Sequence, residues 1–232
     1  MNVAIGTSGF SYAEWKGSFY PEDMKPDGML AYYAARMNAV EINNTFYRMP
    51  KPELLESWAS QVPPEFRFVL KASQRITHHK RLKDAGEETA YFLKTASVLG
   101  DRLGPILFQL PPHLKKDAPR LAAFLELLPP ETRGAFEFRH ESWFDEETFG
   151  LLRAKGMALC IAEDEELATP PEATAGWGYL RLRRQDYADE DLAAWAQRLA
   201  GMHWSDAFVF FKHEDAGTGP RLAARFRELL RA

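Results

Sequence analysis

The chain has 232 residues, 46% of them hydrophobic, and its 29 lysines and arginines face 33 aspartates and glutamates for a net charge of −4. Such a composition supports a full buried core and excludes both a disordered chain and one drawn wholesale to nucleic acid or anionic membrane. Any cationic site must therefore be local.

In chain order, the first strand candidate is Val3 to Gly6, followed by Gly6-Thr-Ser-Gly9, which either cradles an anion or merely turns the chain. A long loop, Phe10 to Pro26, then carries Phe10, Tyr12, Trp15, Phe19 and Tyr20, which fits packing on a rim better than stacking on a ligand. A helix over Gly28 to Met37 leads to a strand over Ala39 to Asn43, and a helix over Pro52 to Gln61 to a strand over Phe66 to Lys71. The basic run His78-His-Lys-Arg81 follows as a loop. The pattern continues with helix Glu87 to Leu99, strand Pro105 to Leu110, helix Asp117 to Leu128, strand Gly134 to Arg139, helix Asp145 to Lys155 and strand Met157 to Ala162. Cys160, the one cysteine, sits in that last apolar run as a reduced core thiol; a lone cysteine excludes an intrachain disulfide and favours a reducing compartment. From Glu163 to Ala175 an acidic run and Pro170-Pro171 permit a loop or one short helical turn. Strand Gly178 to Arg183, helix Asp189 to Ala200, strand Ala207 to His213 and helix Pro220 to Arg231 complete the chain. Pro52 and Pro220 belong to first turns, Asp145 and Asp189 suit N-caps, and Gly156 and Gly201 stand just past helix ends.

Eight strands alternating with helices imply parallel pairing through crossovers, and the expected fold is α/β: a single (β/α)8 TIM-barrel-like domain over residues 1–232, its sixth helix short or missing. A doubly wound open sheet is the alternative, but no glycine fingerprint follows the first strand. No linker or repeat divides the chain. The N-terminus lacks a basic segment before a long apolar run, and no stretch approaches the roughly 20 apolar residues that span a bilayer, so a cytoplasmic protein without a membrane partner is expected.

The strands end in polar residues. In a parallel barrel the outer face packs on helices, so charge within an apolar strand is cheapest pointing inward at the carboxyl end, where the mouth lies. Alternation then puts Glu137 and Arg139 on one inner row with Phe136 and Phe138 outward. Glu41 and Asn43, Lys71, Gln109, Arg181 and Arg183, and Lys212 and His213 end other strands in the same way. Among these, Lys71, Arg139, Arg181 and Lys212 outnumber Glu41 and Glu137, and a cation surplus at low dielectric asks for an anion. Arginine suits forked recognition of carboxylate or phosphate, whereas a lysine of depressed pKa serves as base or nucleophile. Gly217-Thr-Gly219 before the last helix adds a second anion-binding candidate, with a plain capped loop as the simpler reading. A buried ion pair that fixes strand register is the simpler reading of Glu137 and Arg139. No metal or cofactor is expected: His78, His79 and His113 lack ligand spacing, and no phosphate-binding loop or nucleophile elbow is present.

The stretches Ile5-Gly-Thr-Ser-Gly-Phe-Ser-Tyr-Ala-Glu-Trp-Lys-Gly-Ser-Phe-Tyr-Pro21, Val40-Glu-Ile-Asn-Asn-Thr-Phe-Tyr47, Gly104-Pro-Ile-Leu-Phe-Gln-Leu-Pro-Pro112, Phe136-Glu-Phe-Arg-His140 with Trp143, and Tyr179-Leu-Arg-Leu-Arg183 resemble the domain of unknown function 72 family, also called YecE-like proteins. The resemblance spans essentially the whole chain. It implies a TIM-barrel-like fold and names no reaction. Where many relatives end the last strand in asparagines, this chain has Lys212-His213.

Three functions follow for consideration. The first is an enzyme acting on a small anionic molecule, phosphorylated or carboxylated, with Glu41, Glu137 and Lys71 as catalytic groups and Asn43, Gln109, Arg139, Arg181, Arg183, Lys212, His213, Gly217, Thr218 and Gly219 as substrate-binding ones. It requires the two carboxylates and Lys71 to open into one pocket, with Glu137 neither fully tied up nor sealed from solvent. The second is a nucleic-acid role through Lys80-Arg-Leu-Lys83 and Arg183-Arg184, which the net acidity disfavours. The third is a non-catalytic ligand-binding barrel. The oligomeric state is left open.

Overall fold

The branched and aromatic runs form strands β1 (Asn2–Ser8), β2 (Ala39–Ile42), β3 (Arg67–Lys71), β4 (Leu103–Gln109), β5 (Gly134–Glu137), β6 (Ala158–Glu163), β7 (Trp177–Leu182) and β8 (Asp206–Phe211). They belong to a computed structural model that describes residues 1–163 and 167–231. Each strand pairs in parallel with the next, and β8 returns to β1, so the sheet is a closed barrel in sequence order. Every strand lies within about two residues of its expected span, the usual scatter of an element boundary.

The crossovers carry α1 (Pro26–Ala34), α2 (Asn44–Tyr47), α3 (Pro52–Ser60), α4 (Gly86–Ala96), α5 (Ala118–Leu125), α6 (Glu146–Ala154), α7 (Asp189–Ala200) and α8 (Thr218–Leu229). Among the described residues no helix joins β6 to β7. That connection is instead stitched to the start of β6 by Thr174, whose hydroxyl accepts from the Leu159 N–H at 2.7 Å and donates to the Met157 carbonyl at 2.8 Å. Of the acidic run in this segment, Asp164, Glu165 and Glu166 lie outside the described residues.

Side-chain caps start α5 and α6. Asp145 Oδ1 accepts from the Thr148 N–H at 2.9 Å before α6, and Asp117 Oδ1 accepts from the Arg120 N–H at 3.0 Å before α5. At α7 the expectation is corrected. The extended residue is Ala188, its N–H donates to Asp191 Oδ2 at 3.0 Å, and Asp189 falls inside the first turn, where Arg225 holds it. Gly156 leaves α6 at φ +61°, whereas Gly201 stays near helical geometry at φ −77°. Short elements escape periodicity because they are too brief to show it, among them α2, 3₁₀ turns over Ala13–Trp15 and Glu141–Trp143, and a π-helical turn over Arg75–His79.

Two packed layers result. Between sheet and helices lie residues such as Ile5, Val40, Leu70, Phe108, Phe136, Phe138 and Leu180, with Phe138 stacked on Trp143 at 4.7 Å between ring centroids. Inside the barrel, small residues on one wall (Ala135, Ala158, Cys160, Ala162) make room for Tyr179, Phe208 and Phe210 on the other. Cys160 is fully buried, and burial pushes its thiol pKa well up. Arg133 closes the amino-terminal end, its guanidinium 4.6 Å from the Trp177 ring centroid. No helix among the described residues is long and apolar enough to cross a membrane.

Candidate functional site

The polar strand ends point into the barrel. Register alone makes the first contacts: Ser8 lies opposite Glu41, whose Oε1 accepts from its hydroxyl at 2.7 Å, and Gln109 lies opposite Glu137, whose Oε1 accepts from Nε2 at 2.9 Å. Longer contacts cross the barrel. Arg181 donates through Nη2 to Glu41 Oε1 at 2.8 Å and through Nη1 to Glu137 Oε2 at 2.5 Å. Tyr179, one row below on the same strand, donates to Glu41 Oε2 at 2.6 Å, and Arg183 Nη1 donates to Glu137 Oε1 at 3.0 Å. Arg139 approaches the same oxygen with Nε at 3.8 Å. Glu41, Glu137 and Arg181 are 0%, 1% and 2% exposed, so three charges lie sealed beneath the mouth.

Burial alone would raise the Glu137 pKa, but the Arg181 and Arg183 guanidiniums outweigh it and hold the group at about 2. The Arg181 pKa, which burial would lower, is pushed well above its usual value by Glu137 and Glu41. Both carboxylates have both oxygens engaged, so the condition set for a catalytic Glu137, that it be neither fully tied up nor sealed, is not met: Glu41 and Glu137 hold the guanidinium in place, and the expectation that they act as acid or base is corrected.

Lys71 differs. It ends β3 on the same inner row and is 9% exposed, its Nζ 4.2 Å from the centroid of the Phe46 ring. Among the described residues it has neither a hydrogen-bond acceptor nor an ion-pair partner. Burial, then the nearby Arg181, lowers its pKa to about 8 against the pull of Glu137 and Glu41. His78, carried on the π-helical turn, packs edge-on against the same Phe46 ring with centroids 4.8 Å apart. Burial and the charge of Lys71 lower its pKa to about 4, so the imidazole is neutral at physiological pH. Lys212 is exposed at the rim, its pKa lowered by burial of part of the side chain and by Arg183.

The remaining expected site residues scatter. Asn43 is half-buried and lines a cleft of about 190 Å³ between Gly9, Phe10, Ser11 and Trp58, which adjoins a cleft of about 530 Å³ under Tyr47 and Leu54. His213 is turned from the mouth, its Nε2 donating to the Arg184 carbonyl at 2.6 Å. Gly217 and Gly219 are packing positions. A Cβ on Gly217 would stand 2.6 Å from Ser18 Oγ, and one on Gly219 3.0 Å from the His213 carbonyl and 3.1 Å from Thr7 Cγ2. The aromatic first loop thus covers the α8 N-terminus, with Trp15 fully buried against it. Gly9 turns the chain at φ +95°, and its N–H is taken by the Glu41 carbonyl at 2.8 Å.

Sequence reasoning passed over Ser8, Tyr179 and Phe46. The first two share inner rows with named residues, so strand parity pointed to them; Phe46 carried no such signal because α2 is a single turn.

Fold and site define a class: a TIM barrel with a buried Glu–Arg–Glu bridge under its carboxyl-terminal mouth and a desolvated lysine beside it. The family described as "Protein of unknown function DUF72" matches residues 4–232, and the chain belongs to that family. It is similar to the UPF0759 protein YecE of Escherichia coli K12, 36% identical over 116 residues, a match covering 50% of this chain and 43% of that protein. The chain therefore matches less than half the length of that relative. With the UPF0759 protein YunF of Bacillus subtilis it shares 23% identity over 270 residues, covering 98% of this chain and 94% of that one. The crystal structure of a DUF72 family protein from Thermotoga maritima superposes with a TM-score of 0.89 at 28% identity over 100% of both chains. A DUF72 family protein from Enterococcus faecalis, 18% identical, shares the fold with a TM-score of 0.82, covering 99% of this chain and 96% of that one.

Proposed function

We propose that the protein is an enzyme acting on a small anionic molecule at the carboxyl-terminal mouth, with Lys71 as the group that exchanges protons. The carrying observation is the Lys71 amine: desolvated, free of a hydrogen-bond acceptor among the described residues, and titrating at about 8. A general base works best with a pKa near the operating pH, and no acceptor must be broken before this amine acts. Arg139, Arg183 and Lys212 supply the positive field for a carboxylate or phosphate, while Glu41 and Glu137 hold Arg181 between them. His78, its pKa lowered to about 4, stays neutral against the Phe46 ring and adds no charge to the site.

The test is a thermal-shift screen of phosphorylated and carboxylated metabolites. A ligand is expected to raise the melting temperature of the wild type and to lose most of that effect with Lys71→Met and Lys212→Ala. Stabilisation that survives both substitutions would place the anion elsewhere. A nucleic-acid role is the weaker reading: Arg81 and Lys83 of the basic loop are exposed, but they stand on a chain of net charge −4 that disfavours a long polyanion.

A further inference from the structure

We propose that Lys71 is a covalent nucleophile, forming an imine with the carbonyl carbon of a small keto or aldehyde compound that also carries a carboxylate or phosphate. This rests on the reading of the mouth as an anion site and adds the reactive half of the substrate.

Four observations carry it. First, Lys71 is the inward-pointing lysine at a barrel strand end that is almost fully withdrawn from solvent, at 9% exposure. Second, its Nζ rests on the face of Phe46, and no carboxylate among the described residues binds it, so an approaching carbonyl meets no salt bridge to break. Third, the nearby Glu41 and Glu137 are committed to Arg181, Gln109, Ser8 and Tyr179, which leaves them available as fixed charges rather than as competing ligands for the ammonium. Fourth, burial and the nearby Arg181 outweigh the pull of Glu137 and Glu41, so the neutral amine is favoured, and exposed Lys212 at the rim offers a cation to an anionic tail. A substrate held by its anion at Arg139, Arg183 and Lys212 presents a carbonyl toward the barrel axis, where Lys71 stands.

The step balances without a co-reactant. The neutral amine attacks the carbonyl carbon, forming the N–C bond, and the carbinolamine loses its oxygen as water to leave a protonated imine. Overall, ammonium and carbonyl give iminium and water, with no oxidation or reduction. Proton transfers in the carbinolamine are taken by solvent at the mouth, to which Lys71 keeps 9% exposure. The imine acts as an electron sink for proton loss or carbon–carbon cleavage next to the former carbonyl.

The experiment treats the whole protein separately with pyruvate, glyoxylate, dihydroxyacetone phosphate and neutral acetone, each with cyanoborohydride, and maps the reduced adduct by peptide mass spectrometry. The carboxylate and phosphate arms tell which anion the mouth prefers. One adduct per chain at Lys71 is expected with at least one anionic carbonyl, at least tenfold over acetone, with a rate rising through pH 8 and no adduct in Lys71→Met. Modification spread over surface lysines, centred on Lys212, or equal for acetone overturns the proposal. If these anions raise the melting temperature yet leave Lys71 unmodified, the covalent step is wrong and the anion site stands. If they do neither, both readings fall.

Discussion

Lys71 carries a stability cost that can be measured. Its folded pKa, about 8, lies below the ordinary value of 10.5. Below pH 8 the lysine is charged in both states, and folding must bury that charge. Between about 8 and 10.5 the unfolded chain holds a proton that the folded chain has released, so this group makes stability rise with pH across that window. The full shift corresponds to about 3 kcal/mol. Lys71→Met is therefore expected to raise the unfolding free energy at pH 7 by about 1–3 kcal/mol and to flatten the rise above pH 8, as read by urea titration. A chain that gains stability when one side chain is replaced is using that side chain for something other than folding.

Glu137 is the opposite case. Its depressed pKa makes its contribution fully present above about 4.5 and lost as pH falls toward about 2. Glu137→Gln removes the carboxylate that Arg181 and Arg183 share, leaving Glu41 on Arg181, and is expected to cost about 3–5 kcal/mol at neutral pH, together with loss of that acid-side dependence in denaturant melts. The inward orientation of Glu137 was legible in the sequence, because charge between Phe136 and Phe138 has one affordable direction in a barrel. Its partner was not. Arg139 shares its row two residues away, yet the close contacts come from Arg181 and Arg183 on β7, since a side chain leaning along its strand meets neighbours across the barrel more easily than the next residue on its own row.

At the scale of elements, two glycines separate fit from freedom. A Cβ on Gly6 would stand 1.9 Å from the Ala39 carbonyl oxygen and 2.8 Å from the Tyr33 hydroxyl, so Gly6→Ala must part β1 from β2. A loss of about 3 kcal/mol or more is expected. Gly150, inside α6, has nothing within 4 Å of such an atom, and Gly150→Ala is expected to add about 0.5–1 kcal/mol through helix propensity alone. Calorimetry on both variants checks the pair. The strands could be read from sequence because each is a short apolar run between turn residues, and α6 because Asp145 and Gly156 bracket a clear period. The π-helical turn over Arg75–His79 could not. Its geometry goes with three non-glycine residues at positive φ just beyond it, Arg81, Leu82 and Asp84, and such a path is fixed by burial of Ile76 and Leu82 rather than by local propensity.

For the whole molecule, a net charge of −4 coexists with five cationic side chains around the mouth, Lys71, Arg139, Arg181, Arg183 and Lys212, against acids that include Glu41, Glu137 and, near Lys212, Glu214. On the proposed reading a small anion would enter there, while a long polyanion would meet the acidic remainder. Single- and double-stranded oligonucleotides are accordingly expected to show no retardation in a gel-shift assay even at low salt, and a clear shift that weakens with salt would favour the nucleic-acid reading.

The bridge from Glu41 through Arg181 to Glu137 also bears on how the chain acquires its shape. Its three members come from β2, β7 and β5, and the two contacts span 140 and 44 residues of sequence. Early collapse brings together neighbours in sequence, whereas this clasp waits until β7 has been laid down and the ring is shut. Refolding should therefore show helical signal recovering first and anion binding last. Partly assembled barrels would bury guanidinium without carboxylate, an arrangement unfavourable enough to keep open forms rare once the chain is complete. The clasp thus ties the buried charge network to closure of the ring.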